Sequence, residues 1–119
     1  MLSLPPSVRI FLCTTPTDLR KSFDSLAALV REVLDGDPLS GHLFVFRNKN
    51  GDRLKLLFWD RDGLVIYYKR LEEGTFAFPA TRDGQRVEVR SAELAMLLDG
   101  VDLDSVRRRR RYQRPAAAV

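Results

Sequence analysis

Two turn signals inside one long apolar stretch constrain this chain more than any other feature. Residues 41–79 read GHLFVFRNKNGDRLKLLFWDRDGLVIYYKRLEEGTFAFP. Residues 43–46, 53–59 and 64–71 are runs of strand length rich in aromatic and branched side chains, which suit a pleated surface. Asn50-Gly51 and Asp62-Gly63 separate them, and such pairs are the strongest short-range hairpin signals. The expected product is a meander of three antiparallel strands, with room for a fourth short one before Pro79.

Register follows from the turns. With a two-residue loop at each, directly paired residues share a face of the sheet. One face then carries Phe44, Phe46, Lys55, Leu57, Trp59, Ile66, Tyr68 and Arg70. The other carries Leu43, Val45, Arg47, Leu54, Leu56, Phe58, Val65, Tyr67, Lys69 and Leu71. Both are largely apolar, whereas a sheet with one wet face should alternate apolar and polar. Both faces therefore need cover, from helices of this chain or from another molecule. A loop with an odd number of residues would mix the two sets.

The flanking sequence supplies the cover. Residues 8–13 form a short apolar run that reads as a strand, with Cys13 at its end. No His or acid stands at catalytic spacing from Cys13, so it reads as a small core residue. Thr17 or Asp18 can cap a helix, because Leu19, Phe23, Leu26, Ala27, Val30, Val33 and Leu34 then recur at helical spacing. Arg20 and Lys21 fall on its polar side, where they could touch phosphate, although a solvated helix face is the commoner meaning; Gly36 and Pro38 end the helix. Residues 86–90 alternate as a strand. Ser91 is the expected cap of a second helix, with Glu93 in its first turn, Leu94, Leu97 and Leu98 as its stripe, and Gly100 closing it. The expected fold is α+β: a small single domain over residues 1–106, with a mostly antiparallel β-meander sheet packed with two helices. Residues 107–119 are expected to be a disordered, arginine-rich tail.

Charge divides unevenly along the chain. The net charge of +4 comes from 20 basic and 16 acidic residues. Arg107, Arg108, Arg109, Arg110, Arg111 and Arg114 supply six of the basic ones, so residues 1–106 hold 14 basic against 16 acidic, a net −2. Such a tail suits an acidic partner, nucleic acid first, the alternative being a solubilising end without a partner. A second cationic group, Arg47, Lys49 and Arg53, surrounds the first turn; it could reach a DNA backbone, since phosphate contacts need only charge and reach, or equally be a turn kept soluble by charge. Lys55, Trp59, Tyr68 and Arg70 share a face with Phe44 and Phe46. That face is too apolar for a wet nucleic-acid groove, so these six are read as core or protein interface.

Other chemistries find little support. Asp60 and Asp62 could be taken for paired metal ligands, but they sit on a tight turn, where Asp is favoured for bonding local backbone N–H groups. His42 is the sole histidine, so neither a triad nor a zinc cluster has material to draw on. The single cysteine rules out an intramolecular disulfide and fits a reducing cytoplasm. No apolar run approaches a membrane span, and the first residues lack the character of a signal peptide.

The stretch 41–79, with Asp18-Leu19-Arg20-Lys21, Leu26-Ala27-Ala28-Leu29-Val30 and residues 94–100, closely resembles the accessory protein called TnpB or Orf2 of insertion sequences of the sixty-six type. Those mobile elements encode it beside a separate, larger transposase. Ser22 stands where many relatives have Gly, and Val65 and Ile66 where relatives are often more aromatic. The chain is far too short for the RNA-guided nuclease that shares the TnpB name, and it lacks nuclease motifs. The resemblance implies a noncatalytic, bacterial and cytoplasmic accessory protein of DNA transposition. It would help assemble the transposase–DNA complex without cofactor or metal, with the element's transposase as partner, DNA a second partner and self-association a third. The alternative is a protein-only adaptor or regulator of the transposase that does not touch DNA.

Overall fold

The structure is a computed structural model and describes residues 4–79 and 85–101. Its elements run β1 (Ile10–Cys13), α1 (Phe23–Glu32), β2 (Leu43–Arg47), β3 (Arg53–Asp60), β4 (Gly63–Arg70), β5 (Arg86–Val89) and α2 (Ser91–Leu98). They build one five-stranded sheet in the order β4-β3-β2-β1-β5. The β2-β3-β4 meander is antiparallel, as its turn signals require. β1 lies parallel to β2, with α1 as the crossover that a parallel pair needs, and β5 closes the other edge antiparallel to β1.

Both face assignments hold. Phe44 pairs with Leu57 and Phe46 with Lys55; Leu57 in turn pairs with Ile66 and Lys55 with Tyr68. The turns differ in form. The first loop is closed by Asn48 N–H donating to the Arg53 carbonyl at 3.1 Å, so it holds four residues, not two. Gly51 within it has φ 76°. In the second, Asp60 pairs with Gly63, so the two loop residues are Arg61 and Asp62, with Arg61 at φ 54°. Both loops remain even in number, and parity survives.

The room left for a fourth strand before Pro79 is used otherwise. Residues 71–79 leave the sheet as a strap across one face. Phe76 is wholly buried there; its N–H donates to the Gly51 carbonyl at 2.7 Å, and its own carbonyl accepts from the Arg47 guanidinium at 3.0 Å.

Each face has its own core. Leu26, Ala27 and Val30 of α1 pack on Phe44, Phe46 and Leu57, together with Leu19 and Leu34. Leu94, Leu97 and Leu98 of α2 pack with Phe76 on Leu43, Val45, Leu54 and Leu56. Full burial of each Leu, Val or Phe among these stabilises by roughly 1.5–3 kcal/mol before entropy is counted.

The helix starts differ from the expected caps. Asp18 does not cap α1: its carboxylate accepts the Arg20 N–H at 3.0 Å, and Lys21 N–H reaches the Asp18 carbonyl at 3.2 Å, closing a turn. The helix begins at Phe23 after Ser22, whose N–H donates to Ser25 Oγ at 3.0 Å. Phe23 consequently leaves the apolar stripe and is 46% exposed, while Leu19 is buried from the preceding loop. In α2, Ser91 is the first helical residue and Arg90 the cap, its N–H donating to the Glu93 carboxylate at 3.0 Å. Gly100, at φ 80°, ends this helix as expected. Gly100 N–H donates to Leu97 and Val101 N–H to Met96, a closing pair that requires a left-handed residue at that position.

Candidate nucleic-acid interface

α1 covers only part of its face. Toward the β2–β3 hairpin, β3 and β4 change on this face from Leu, Trp and Ile to Arg, Lys and Tyr. Lys55 lies opposite Tyr68, and Arg53 opposite Arg70. Like charges directly opposite destabilise a sheet, and here each guanidinium has another partner. Arg53 donates to the Tyr68 hydroxyl at 3.2 Å, and Arg70 binds the Glu72 carboxylate at 3.2 Å. Lys55 is buried; its ammonium lies 4.8 Å from the Tyr68 ring centroid and donates to the Lys21 carbonyl at 2.8 Å.

That last bond, with Thr17 N–H donating to the Arg47 carbonyl at 2.8 Å, brings the β1–α1 loop beside the hairpin. Between them lies an open concavity of about 700 Å³, walled by residues 16–20 on one side and Asn48, Lys49, Asn50, Asp52 and Arg53 on the other, with Tyr68. Arg20, Lys49 and Arg53 thus converge from two distant stretches, and all three are exposed. Two carboxylates share the concavity. Asp18 is gripped by Arg20 through Nε and a terminal nitrogen at 2.8–3.1 Å, and this hydrogen bonding holds its carboxyl down to about 2. Asp52 accepts from the Asn48 side-chain amide at 2.7 Å.

The anticipated site residues therefore separate. Lys49 and Arg53 line the concavity. Arg47 is half-buried, stacks 4.6 Å from the Phe78 ring centroid and holds the Phe76 carbonyl; burial lowers its pKa, and it acts as a pin for the strap. Phe44 and Phe46, taken as interface candidates, are sealed beneath α1 and offer no surface. Trp59 is half-buried opposite Leu64, and Tyr68 and Arg70 are exposed. Arg107, Arg108, Arg109, Arg110, Arg111 and Arg114 lie outside the described residues. Sequence reasoning weighed Arg20 as a phosphate contact and preferred a solvated helix face, without linking it to the hairpin. Its meeting with Lys49 joins positions too far apart in sequence for any local spacing to reveal.

The remaining reactive side chains are accounted for. Cys13 is buried, burial pushes its thiol pKa up, and Sγ donates to the Thr15 carbonyl. His42 Nδ1 accepts the Arg9 N–H at 2.9 Å. Asp60 and Asp62 are exposed at the β3–β4 turn, and no group of three His, Cys, Asp or Glu among the described residues is placed to share a metal ion. No helix among the described residues is long and apolar enough to cross a membrane.

The fold and this corner define a small α+β module with a mixed-charge, cation-rimmed recess. The sequence matches the family described as IS66 Orf2 like protein over residues 8–108, and the chain belongs to that family. The family is one of transposition accessory proteins of insertion sequences, not a known catalytic one. Two relatives come from Sinorhizobium fredii (strain NBRC 101917 / NGR234). The uncharacterized protein y4hO is 41% identical over 102 residues, spanning 86% of this chain and 88% of that protein. The uncharacterized protein y4jC is 38% identical over 109 residues, spanning 92% of each. No solved structure matches the chain.

Proposed function

We propose that this chain is a noncatalytic accessory protein that helps assemble the transposase–DNA complex of an insertion sequence, and that Arg20, Lys49 and Arg53 rest on DNA phosphates. The observation that carries the DNA contact is the convergence of these three exposed cations around one open concavity. The arms of Arg107, Arg108, Arg109, Arg110, Arg111 and Arg114 extend the contact along the backbone. Guanidinium and ammonium contacts to phosphate carry no base information, so binding is weakly dependent on sequence.

The test is a salt titration of binding to labelled duplexes of unrelated sequence. Log affinity falls against log salt with a slope of about −0.9 per phosphate neutralised. Lys49→Ala and Arg53→Ala each reduce the slope by about one, and a chain ending at Val106 loses the arginine contribution. A full chain that fails to bind duplex at low salt overturns the DNA contact. The protein-only adaptor then takes its place, a reading favoured by the carboxylates of Asp18 and Asp52 inside the same concavity. The accessory role itself is tested by deleting the gene: transposition frequency drops while the transposase is still made.

A further inference from the structure

β4 is an edge strand of eight residues, bonded on one side to β3 and, among the described residues, to no strand on the other. Exposed edges of this length are usually blunted by proline, a bulge or brevity, because their free N–H and C=O groups template further pairing. The opposite edge follows that rule, since β5 has four residues. β4 contains no proline, and its ladder to β3 runs without a break from Asp60–Gly63 to Arg53–Arg70.

Which groups are free can be derived. Leu71 N–H donates to the Asp52 carbonyl, on the β3 side. Because antiparallel bonding alternates, Gly63, Val65, Tyr67 and Lys69 also turn their backbone groups to β3. Leu64, Ile66, Tyr68 and Arg70 present theirs at the open edge.

We infer that this edge pairs with the same edge of a second copy of the chain, joining two five-stranded sheets across a two-fold axis at Ile66. An antiparallel pair of identical strands is self-complementary, as a two-fold interface must be. Centring on Ile66 sets Leu64 of each copy against Tyr68 of the other, an aliphatic–aromatic cross-strand pair that covers a ring now 48% exposed. It also brings Asp62, the loop residue just before the strand, toward Arg70 of the other copy, where its carboxylate shares the guanidinium with Glu72; Asp62, Arg70 and Glu72 are all exposed in the single chain. Shifting the axis to Val65 sets Arg61 against Lys69, and shifting it to Tyr67 sets Asp62 against Glu72. Each one-residue shift juxtaposes like charges, so charge favours the Ile66 register over its immediate neighbours, and the Leu64–Tyr68 pair favours it further.

Sedimentation velocity of the full chain tests the pairing. The wild type shows a monomer–dimer equilibrium. Tyr68→Pro removes an outward N–H, which an edge strand tolerates, and abolishes the dimer while circular dichroism stays unchanged. Asp62→Arg raises the dimer dissociation constant by about tenfold, and adding Arg70→Asp restores it. A wild type that stays monomeric up to its solubility limit overturns the inference, as does a dimer that survives in folded Tyr68→Pro. Should Tyr68→Pro not fold, the charge exchange decides, and failure of the second substitution to rescue the first overturns the inference.

Discussion

The two faces of the sheet start from similar apolar strands and are finished differently. Each carries one lysine among its apolar residues, and each lysine bonds its covering element. On the α2 face, Lys69 Nζ donates at 2.7 Å to the carbonyl of Leu98, one of the orphan acceptors at the end of that helix. On the α1 face, Lys55 Nζ donates at 2.8 Å to the Lys21 carbonyl just before the helix. A lysine in such a strand is thus a tether, its stem packed and its head bonded. The faces diverge beyond the helices. The 71–79 strap lays Phe76 and Phe78 against the α2 face. Among the described residues the α1 face has no second cover, and there Arg53, Tyr68 and Arg70 reach the surface. The cationic corner exists because of how far the cover extends; the composition of the strands alone would not expose it.

Leu56 and Leu57 break this comparison most directly, being consecutive in β3, wholly buried and on opposite faces. Leu56→Ala and Leu57→Ala should each cost ~2–5 kcal/mol by denaturant unfolding. Similar losses would show both cores to be integral; a much smaller loss for Leu57→Ala would mark the α1 face as the weaker half. The tethers come next. Lys55→Met leaves the Lys21 carbonyl unsatisfied and should cost ~1–3 kcal/mol, with Lys69→Met costing less because Lys69 is more exposed. An equal cost would mean that the helix-end bond matters as much as the buried one.

Two smaller effects sharpen the picture at the rims. Arg61 holds a left-handed backbone conformation. Arg61→Gly should raise stability by about 0.5–1 kcal/mol, read as a higher melting temperature, because strain at the turn outweighs the added chain entropy. Asp18 gives the smallest effect. Its carboxyl is lowered to about 2 by Arg20, against about 3.9 in an unfolded chain. Its contribution is present above the unfolded value and fades as pH falls toward 2. An NMR titration of the carboxyl should show the low midpoint, and Arg20→Ala should return it toward the ordinary range.

Strand existence, the division of strand residues between two faces and the α1 and α2 stripes were legible in the sequence. They rest on side-chain periods of two and 3.6, and these are local properties of the backbone. Face parity tolerated errors in both turns, since only an odd loop length would have exchanged the faces. Tertiary structure alone decided the rest. It placed β1 between β2 and β5, moved the start of α1 to Phe23, sent the 71–79 segment back across the α2 face and gathered Arg20 beside Lys49 and Arg53. Those outcomes depend on bonds such as Arg47 to Phe76, 29 residues apart, and Arg9 to Glu88, 79 apart. Such bonds form only once the chain has closed its long loops, so no local pattern of residues can announce them.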